Sequence, residues 1–155
     1  MSNWALILGC STGHGGATAK KLAGQGYGIV GFHFDRGKLK KEAEKTREEI
    51  SDLNGGMVEF WNTNAASPET MDKYIPQIRE ITRGTPLKLL LHSIAFGTTT
   101  NFFGEKPVSQ KQMDMTVHVM GNSLLYWTQK LFKADLLEKG SRILGLTSEG
   151  NYVAM

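Results

Sequence analysis

The sequence predicts an α/β fold in which a parallel β-sheet is doubly wound, with helices on both faces. Short apolar runs alternate with helical patterns along all 155 residues, an order that is typical of a parallel sheet. A glycine-rich turn joins the first run to the first helix. The run 87–92 is nearly continuous in apolar residues, as expected of a central parallel strand. At this length we expect one domain, residues 1–155, with a core of its own.

Residue types that are common at helix ends predict where the helices begin and end. Gly24 and Gly26 follow the first helical pattern and the pair 55–56 follows the second, as glycine often does after a helix. The segment 67–69 reads Ser-Pro-Glu, which is a cap residue, a proline at the first helical position and an acid in the first turn. We predict strands near 4–9, 28–34, 56–62, 87–95 and 141–147, and helices near 15–24, 37–53, 68–82 and 109–137.

Composition excludes several classes of protein. A net charge of +3 without a block of like charge does not favour a nucleic-acid partner. A single cysteine, Cys10, excludes an internal disulfide and a cysteine-based metal cluster, and it fits a reducing compartment. The first strand begins at Trp4, so we expect no signal peptide, and no apolar run approaches the length of a membrane span. These features predict a cytoplasmic location.

The glycine-rich turn after the first strand carries the most information about function. Strand, glycine turn and helix, in that order, are what a dinucleotide pyrophosphate requires, because the helix N-terminus offers free N–H groups and a positive dipole end. The alternative is a turn whose glycines serve only to pack the helix on the strand. The candidate cofactor residues in this turn are Gly9, Ser11, Thr12, Gly13, His14 and Gly15.

The spacing Gly-x-x-x-Gly-x-Gly over residues 9–15 resembles the cofactor fingerprint of the short-chain dehydrogenase/reductase family, with Leu8 where many members have Thr. The resemblance implies a Rossmann-type sheet, NAD or NADP as cofactor, and a small-molecule substrate. It also implies a homo-oligomer assembled through the helix at 109–137.

The ends of the second and third strands supply further candidates, because ligands of such sheets bind beyond the carboxyl ends of the strands. In the family pattern the usual ribose-binding acid falls on His33, with Asp35 two residues later on the same side and Arg36 beside it. An acid favours NAD and a basic residue accommodates a 2′-phosphate, so both cofactors stay open. His33 could equally be a strand-end histidine without a ligand. Asn62 matches the family position that contacts the adenine amino group, or it caps a turn.

The fourth strand ends His-Ser-Ile-Ala-Phe-Gly at residues 92–97. This version resembles the enoyl-acyl carrier protein reductase branch of the family, whereas most members have Asn-Asn-Ala-Gly. The resemblance places Ser93, Ile94 and Ala95 against the nicotinamide ribose. His92, on a buried strand end, favours a structural role.

The helix at 109–137 has apolar residues at helical spacing, which predicts that they face the core. In the broad family an Asn on this helix anchors a proton-relay water. Asn122 lies near that place but shifted in register, so the role is not transferred to it. The predicted core positions are Met113, Val117, Met120, Leu124 and Trp127.

The resemblance extends to the fifth strand but stops before the family's catalytic pair. By position Ser148 matches the serine that binds the substrate carbonyl, and it could equally be an ordinary strand-end cap. The enoyl reductase branch has Tyr after this position, where this chain has Glu149. The family's Tyr and Lys lie four residues apart on the next helix, and Tyr152 has no Lys four residues on.

A sheet that stops at a fifth strand would expose a long apolar edge. We therefore expect the chain to be the N-terminal portion of a longer protein: an expressed fragment, a proteolytic product, or one piece of a nicked enzyme whose remainder stays bound. The alternative is a short protein whose missing strands come from a partner. The intact protein would be an NAD(P)-dependent oxidoreductase acting on a carbonyl or enoyl group, with acyl thioesters of fatty acid metabolism as candidate substrates. The 155 residues alone are predicted to be inactive. The competing class is a non-catalytic dinucleotide-binding or structural module.

Overall fold

The computed structural model describes residues 2–147. Its strands are β1 (Trp4–Leu8), β2 (Gly28–His33), β3 (Val58–Asn62), β4 (Leu89–His92) and β5 (Arg142–Gly145). Its α-helices are α1 (Gly13–Ala23), α2 (Lys38–Asn54), α3 (Pro68–Ile81), α4 (Gln110–Val117) and α5 (Ser123–Lys133), and a π-helical segment, His118–Asn122, separates the last two. The strands form one parallel sheet in the order β3-β2-β1-β4-β5, which confirms the predicted doubly wound α/β fold.

The core lies on both faces of the sheet, because side chains alternate along each strand. On one face β1 and β2 pack against α3 and α5, with Phe32 and Trp127 fully buried. On the other face Ile7 and Ile29 pack against Ala19 of α1 and against α2. The ends of β1 and β2 are thus held between two helical layers, which positions the turns that leave these strands.

The predicted helix ends at 55 and 67 match the local geometry. Gly55 adopts a left-handed conformation, with φ of 67°, as expected of glycine after a helix. The Ser67 side chain accepts a hydrogen bond from the Thr70 backbone N–H at 3.3 Å, and Pro68 begins α3. Both connections therefore follow directly from residue chemistry.

The fourth strand is shorter than the predicted range 87–95. Lys88 still donates its backbone N–H to the Trp4 carbonyl, but the Leu87 N–H turns to the Leu136 carbonyl beyond α5. At the other end the Ser93 N–H donates to the Leu8 carbonyl at 2.7 Å. The strand therefore ends at His92, and the chain leaves the sheet after this last hydrogen bond of Ser93.

The predicted helix at 109–137 is observed over residues 110–133, but it is not one regular α-helix. The structure has α4, the π-helical segment and α5, and three of the predicted core residues, Met113, Val117 and Met120, are 38%, 51% and 44% exposed. A π-helical turn holds one residue more than an α-turn, so it changes which side of the helix faces the sheet. Trp127 keeps its predicted place in the core.

The fifth strand forms an exposed edge of the described sheet. It pairs with β4 through the register Leu90 to Ile143, and all four of its residues are exposed. Beside it Phe132 of α5 is exposed as well.

No helix within residues 2–147 is long and apolar enough to cross a membrane.

Candidate functional site: the carboxyl edge of the sheet

The turn after β1 is held against its two neighbouring strands. The backbone N–H groups of Gly9 and Cys10 both donate to the Phe32 carbonyl of β2, at 2.8 and 3.1 Å. Gly9 has φ of +90°, and a Cβ there would lie 2.4 Å from the Ser93 carbonyl oxygen. A side chain at Gly9 would therefore push the turn away from the end of β4.

The other two glycines of the turn serve different purposes. A Cβ on Gly15 would lie 1.8 Å from the Gly9 carbonyl oxygen, so this glycine lets α1 begin directly against the turn. A Cβ on Gly13 would meet nothing within 4 Å. Packing thus explains Gly9 and Gly15, whereas Gly13 faces open space and its φ of +57° is what favours glycine there.

The first turn of α1 is free to receive an anion. Thr12 precedes the helix in an extended conformation and its side chain makes no capping hydrogen bond, and the first turn holds no acidic residue. N–H groups at the start of a helix have no partners within the helix, and they lie at its positive dipole end. Since His14 is exposed beside the open Gly13, these donors fit a bound pyrophosphate.

Buried side chains hold the glycine turn on its protein-facing side. Thr46 of α2 donates its hydroxyl to the Ser11 carbonyl at 2.9 Å. Cys10 is fully buried, and a Cβ on Gly31 would lie 2.6 Å from its sulfur. Burial raises the pKa of the Cys10 thiol well above its usual value, so this cysteine behaves as a core residue.

The ends of β2 and β3 bring three predicted site residues together. His33 Nδ1 lies 2.9 Å from Asp35 Oδ2. The Asn62 side chain binds the backbone of Asp35 twice, because its Oδ1 accepts from the Asp35 N–H and its Nδ2 donates to the Asp35 carbonyl, both at 3.0 Å. Arg36, in contrast, places its guanidinium over the Phe34 ring, 5.6 Å from the centroid.

The end of β4 closes the same edge. Ser93 lies against the glycine turn, since a Cβ on Gly15 would also come within 3.2 Å of the Ser93 Cβ. Ile94 is half-buried and packs on the core, while Ala95 is exposed. The predicted cofactor residues after β1 and β4 are therefore adjacent, and those after β2 and β3 form a second group beside them.

His92 has a buried partner that sequence reasoning missed. Its Nε2 lies 2.8 Å from the Ser123 hydroxyl, which itself donates to the Val119 carbonyl at 2.7 Å. Because the one serine proton is used on Val119, Nε2 must carry the hydrogen of this bond. Burial lowers the pKa of His92, which keeps the ring neutral. The contact supports the structural role expected for His92, and the spacing of residues 92 and 123 gave no signal of it.

Two further predictions bear on the chemistry of the site. Ser148, the candidate catalytic residue, lies outside the described residues, as do Glu149 and Tyr152. Within residues 2–147, no cluster of three or more His, Cys, Asp or Glu side chains could hold a metal ion.

Known proteins share the fold of this chain. The model of the short chain dehydrogenase family matches residues 3–154. Among solved structures, the chain is similar to a short-chain dehydrogenase/reductase from Serratia marcescens, with 20% identity, a TM-score of 0.78, and coverage of 98% of this chain and 58% of that one.

Two other solved structures share the fold. A 3-oxoacyl-(acyl-carrier protein) reductase from Brucella melitensis in complex with NAD has 18% identity and a TM-score of 0.78, and the match covers 100% of this chain and 59% of that one. YwfH, an NADPH-dependent reductase involved in bacilysin biosynthesis, has 19% identity and a TM-score of 0.76, with coverage of 97% and 62%. The chain thus spans about three fifths of the length of these proteins. With a family match over nearly all of its length, the chain belongs to the short-chain dehydrogenase family.

Proposed function

We propose that the protein is an NAD(P)-dependent oxidoreductase that transfers hydride to a carbonyl or enoyl carbon of a small-molecule substrate. The observation that carries the proposal is the open turn at Gly13, where the uncapped start of α1 faces free space at the carboxyl edge of the sheet. A bound nicotinamide dinucleotide would supply the hydride. Family membership and the shape of this turn support the cofactor class.

In this proposal, different groups of residues at the carboxyl edge of the sheet bind different parts of the cofactor. The turn from Gly9 to Gly15 would hold the pyrophosphate through backbone N–H groups. The group at the ends of β2 and β3 would hold the adenosine, and Ser93, Ile94 and Ala95 would lie against the nicotinamide ribose. Ser148 would orient the substrate oxygen. The proton donor would be the tyrosine of the family's Tyr-x-x-x-Lys pair, which in the family lies on the helix after the fifth strand. The residues of this chain with that spacing, Tyr126 and Lys130, lie on α5, before β5.

An acyl thioester or ketoacyl compound is the proposed substrate class. The strand end 92–97 resembles that of enoyl-acyl carrier protein reductases, and one structural neighbour is a 3-oxoacyl-(acyl-carrier protein) reductase. Both point to fatty acid metabolism.

The single cysteine, buried and unpaired, supports a reducing compartment, and we propose a cytoplasmic location on that ground.

Two surfaces support the proposed partners. The exposed edge strand β5 offers a row of backbone groups for a further strand, which the remainder of a longer chain of the neighbours' length would supply. The exposed apolar side chains Met113, Val117 and Met120 of α4 and the π-helical segment favour a homo-oligomer assembled through this helix. A non-catalytic dinucleotide-binding or structural module is the alternative, because Tyr126 and Lys130, which have the Tyr-x-x-x-Lys spacing, lie on α5 before β5 and not on a helix after it.

The test compares two glycine variants of the full-length protein. Gly13→Val places a branched side chain in the open space at the turn and should abolish NADH and NADPH binding. Gly26→Val is the matched control, because Gly26 also has positive φ and open space around its Cβ but lies at the other end of α1. It should lose stability by a similar amount and keep nucleotide affinity. Full affinity in Gly13→Val would overturn the proposal.

Activity distinguishes the two function classes. The full-length protein should oxidise NADH or NADPH in the presence of enoyl or keto thioesters, whereas the 155-residue chain should bind cofactor at best. Nucleotide binding by the full-length protein without turnover on either substrate class would favour the non-catalytic module.

A further inference from the structure

The β3–α3 loop, residues 63–67, leaves the sheet at its carboxyl edge. Its first residue, Thr63, still donates its backbone N–H to the His33 carbonyl at the end of β2, at 2.8 Å. Further along the loop Ala65 and Ala66 are only 6% and 1% exposed. Buried carbonyl groups need hydrogen-bond donors, and an alanine side chain has none to offer. The donors for these two residues must therefore come from elsewhere in the fold.

Both carbonyl groups receive a side-chain donor from the helical region that follows β4. Trp127 of α5 donates its Nε1–H to the Ala65 carbonyl at 2.8 Å. His118 Nε2 lies 2.9 Å from the Ala66 carbonyl oxygen, and because a carbonyl only accepts, Nε2 carries the hydrogen. The bonds span 62 and 52 positions of the chain. Two consecutive carbonyl groups of the loop are thus held from a region far along the sequence.

The π-helical segment, which begins at His118, makes this double contact possible. His118 and Trp127 are nine positions apart, and in a regular α-helix two residues at that spacing point about 180° apart. A π-helical turn holds one residue more than an α-turn. The two side chains are therefore related roughly as residues eight positions apart in an α-helix, at about 80°. The π-helical turn thus directs both donors toward the same loop.

The segment that carries His118 is itself held in place. Ser123, at the end of the segment, is fully buried, and its hydroxyl donates to the Val119 carbonyl at 2.7 Å and meets His92 Nε2 at 2.8 Å. The Tyr126 ring lies beside the His118 ring, with 6.0 Å between the centroids. His118 therefore projects from a backbone that is already bound to the end of β4.

We propose that His118 and Trp127 are positioning residues for the adenosine half of the nicotinamide dinucleotide, because they hold the β3–α3 loop in place before the cofactor binds. The proposal rests on the proposed function, in which the ends of β2 and β3 hold the adenosine. A loop that is already ordered loses less conformational freedom on binding than one that the ligand must order. The nicotinamide half lies against the end of β4 in that function, so its binding does not depend on this loop.

The experiment measures nucleotide binding by the full-length protein. NADH or NADPH, whichever binds more tightly, is titrated by fluorescence, and two fragments are measured by displacement. ADP-ribose, with a 2′-phosphate if NADPH is used, keeps the adenosine, whereas nicotinamide mononucleotide lacks it. His118→Ala should weaken the dinucleotide and ADP-ribose by about three- to tenfold, the effect of having to order one loop, and leave nicotinamide mononucleotide unchanged. Trp127→Phe should act in the same direction.

Two further variants separate positioning from a general effect of substitution. His118→Gln keeps an N–H donor at a similar reach and should recover most of the ADP-ribose affinity that His118→Ala loses. Asn122→Ala is the matched control, because Asn122 is an exposed residue of the same π-helical segment. It should leave the affinities for the dinucleotide and both fragments unchanged.

The outcomes distinguish the two proposals. Unchanged ADP-ribose affinity in His118→Ala, or no recovery in His118→Gln, would overturn the positioning role and leave the proposed function standing. Equal weakening of ADP-ribose and nicotinamide mononucleotide would also overturn it, since that result indicates a general loss of structure. Binding of no dinucleotide by the unsubstituted protein would overturn both. Each variant is titrated below the temperature of its circular dichroism melt, so that the folded state is the one compared.

Discussion

Gly15→Ala tests the closest approach in the glycine turn. The added Cβ would lie 1.8 Å from the Gly9 carbonyl oxygen and 2.9 Å from its carbon. Both atoms are backbone, so no side-chain rotation relieves the clash, and α1 must move away from the turn. Overpacking costs about 1–3 kcal/mol and occasionally more, and we expect about 3 kcal/mol or more here. For a protein of this size or somewhat larger, that lowers Tm by roughly 6–12 °C.

Gly24→Ala is the matched control at the other end of α1. Gly24 has φ of −63°, and the nearest atoms to an added Cβ lie at 3.6 Å. Alanine fits there and restricts the unfolded chain, so this variant should gain about 0.4–1 kcal/mol. Thermal melts of both variants provide the comparison. A Tm for Gly15→Ala within about 2 °C of the unsubstituted protein would show that α1 does not begin against Gly9 as described.

Three further predictions concern buried groups. Because the pKa of Cys10 is raised in the folded protein, the unfolded chain loses this proton at a lower pH. The free energy of unfolding should therefore be at its full value below about pH 8.5 and fall above it. Urea titrations of Cys10→Ala should show a smaller decline. Because the pKa of His92 is lowered in the folded protein, the unfolded chain takes up this proton at a higher pH. The free energy of unfolding should therefore be at its full value above about pH 6.5 and fall below it. The fall should be less steep in His92→Gln. Trp127→Phe leaves the Ala65 carbonyl without its 2.8 Å donor and should cost about 1–3 kcal/mol, whereas the exposed Phe132→Leu should change the unfolding free energy little; equal effects would contradict the packing.

Local patterns were sufficient to predict the architecture. The alternation of apolar runs and helical patterns predicted all five strands of the described sheet, and the glycine turn marked the start of α1. These signals lie within short stretches of chain, where the residue types themselves restrict the backbone. The strand boundaries were less accurate, as at β4, because the last pairs of a strand depend on which neighbour its N–H groups reach.

Contacts between distant residues could not be predicted in the same way. Asn62 was expected to contact the adenine or to cap a turn, and the structure adds that its side chain holds the backbone of Asp35, which depends on the register of β2 against β3. The bond between His92 and Ser123 likewise joins a strand end to a helix far along the chain. The residue types at the edge could be identified from sequence, but the pairing among them required the fold.

The direction in which α4 faces depends on the number of residues in the π-helical segment His118–Asn122. Deleting one residue within it would convert α4 and α5 into a single α-helix, and α4 would turn by about 100° around its axis. The exposed row at Met113 and Val117 would then point in another direction, and other residues of α4 would take its place. Substitutions here preserve the orientation, whereas an insertion or deletion of one residue changes it. Relatives that differ in length by one residue at this point should therefore present a different side of the helix to their neighbours.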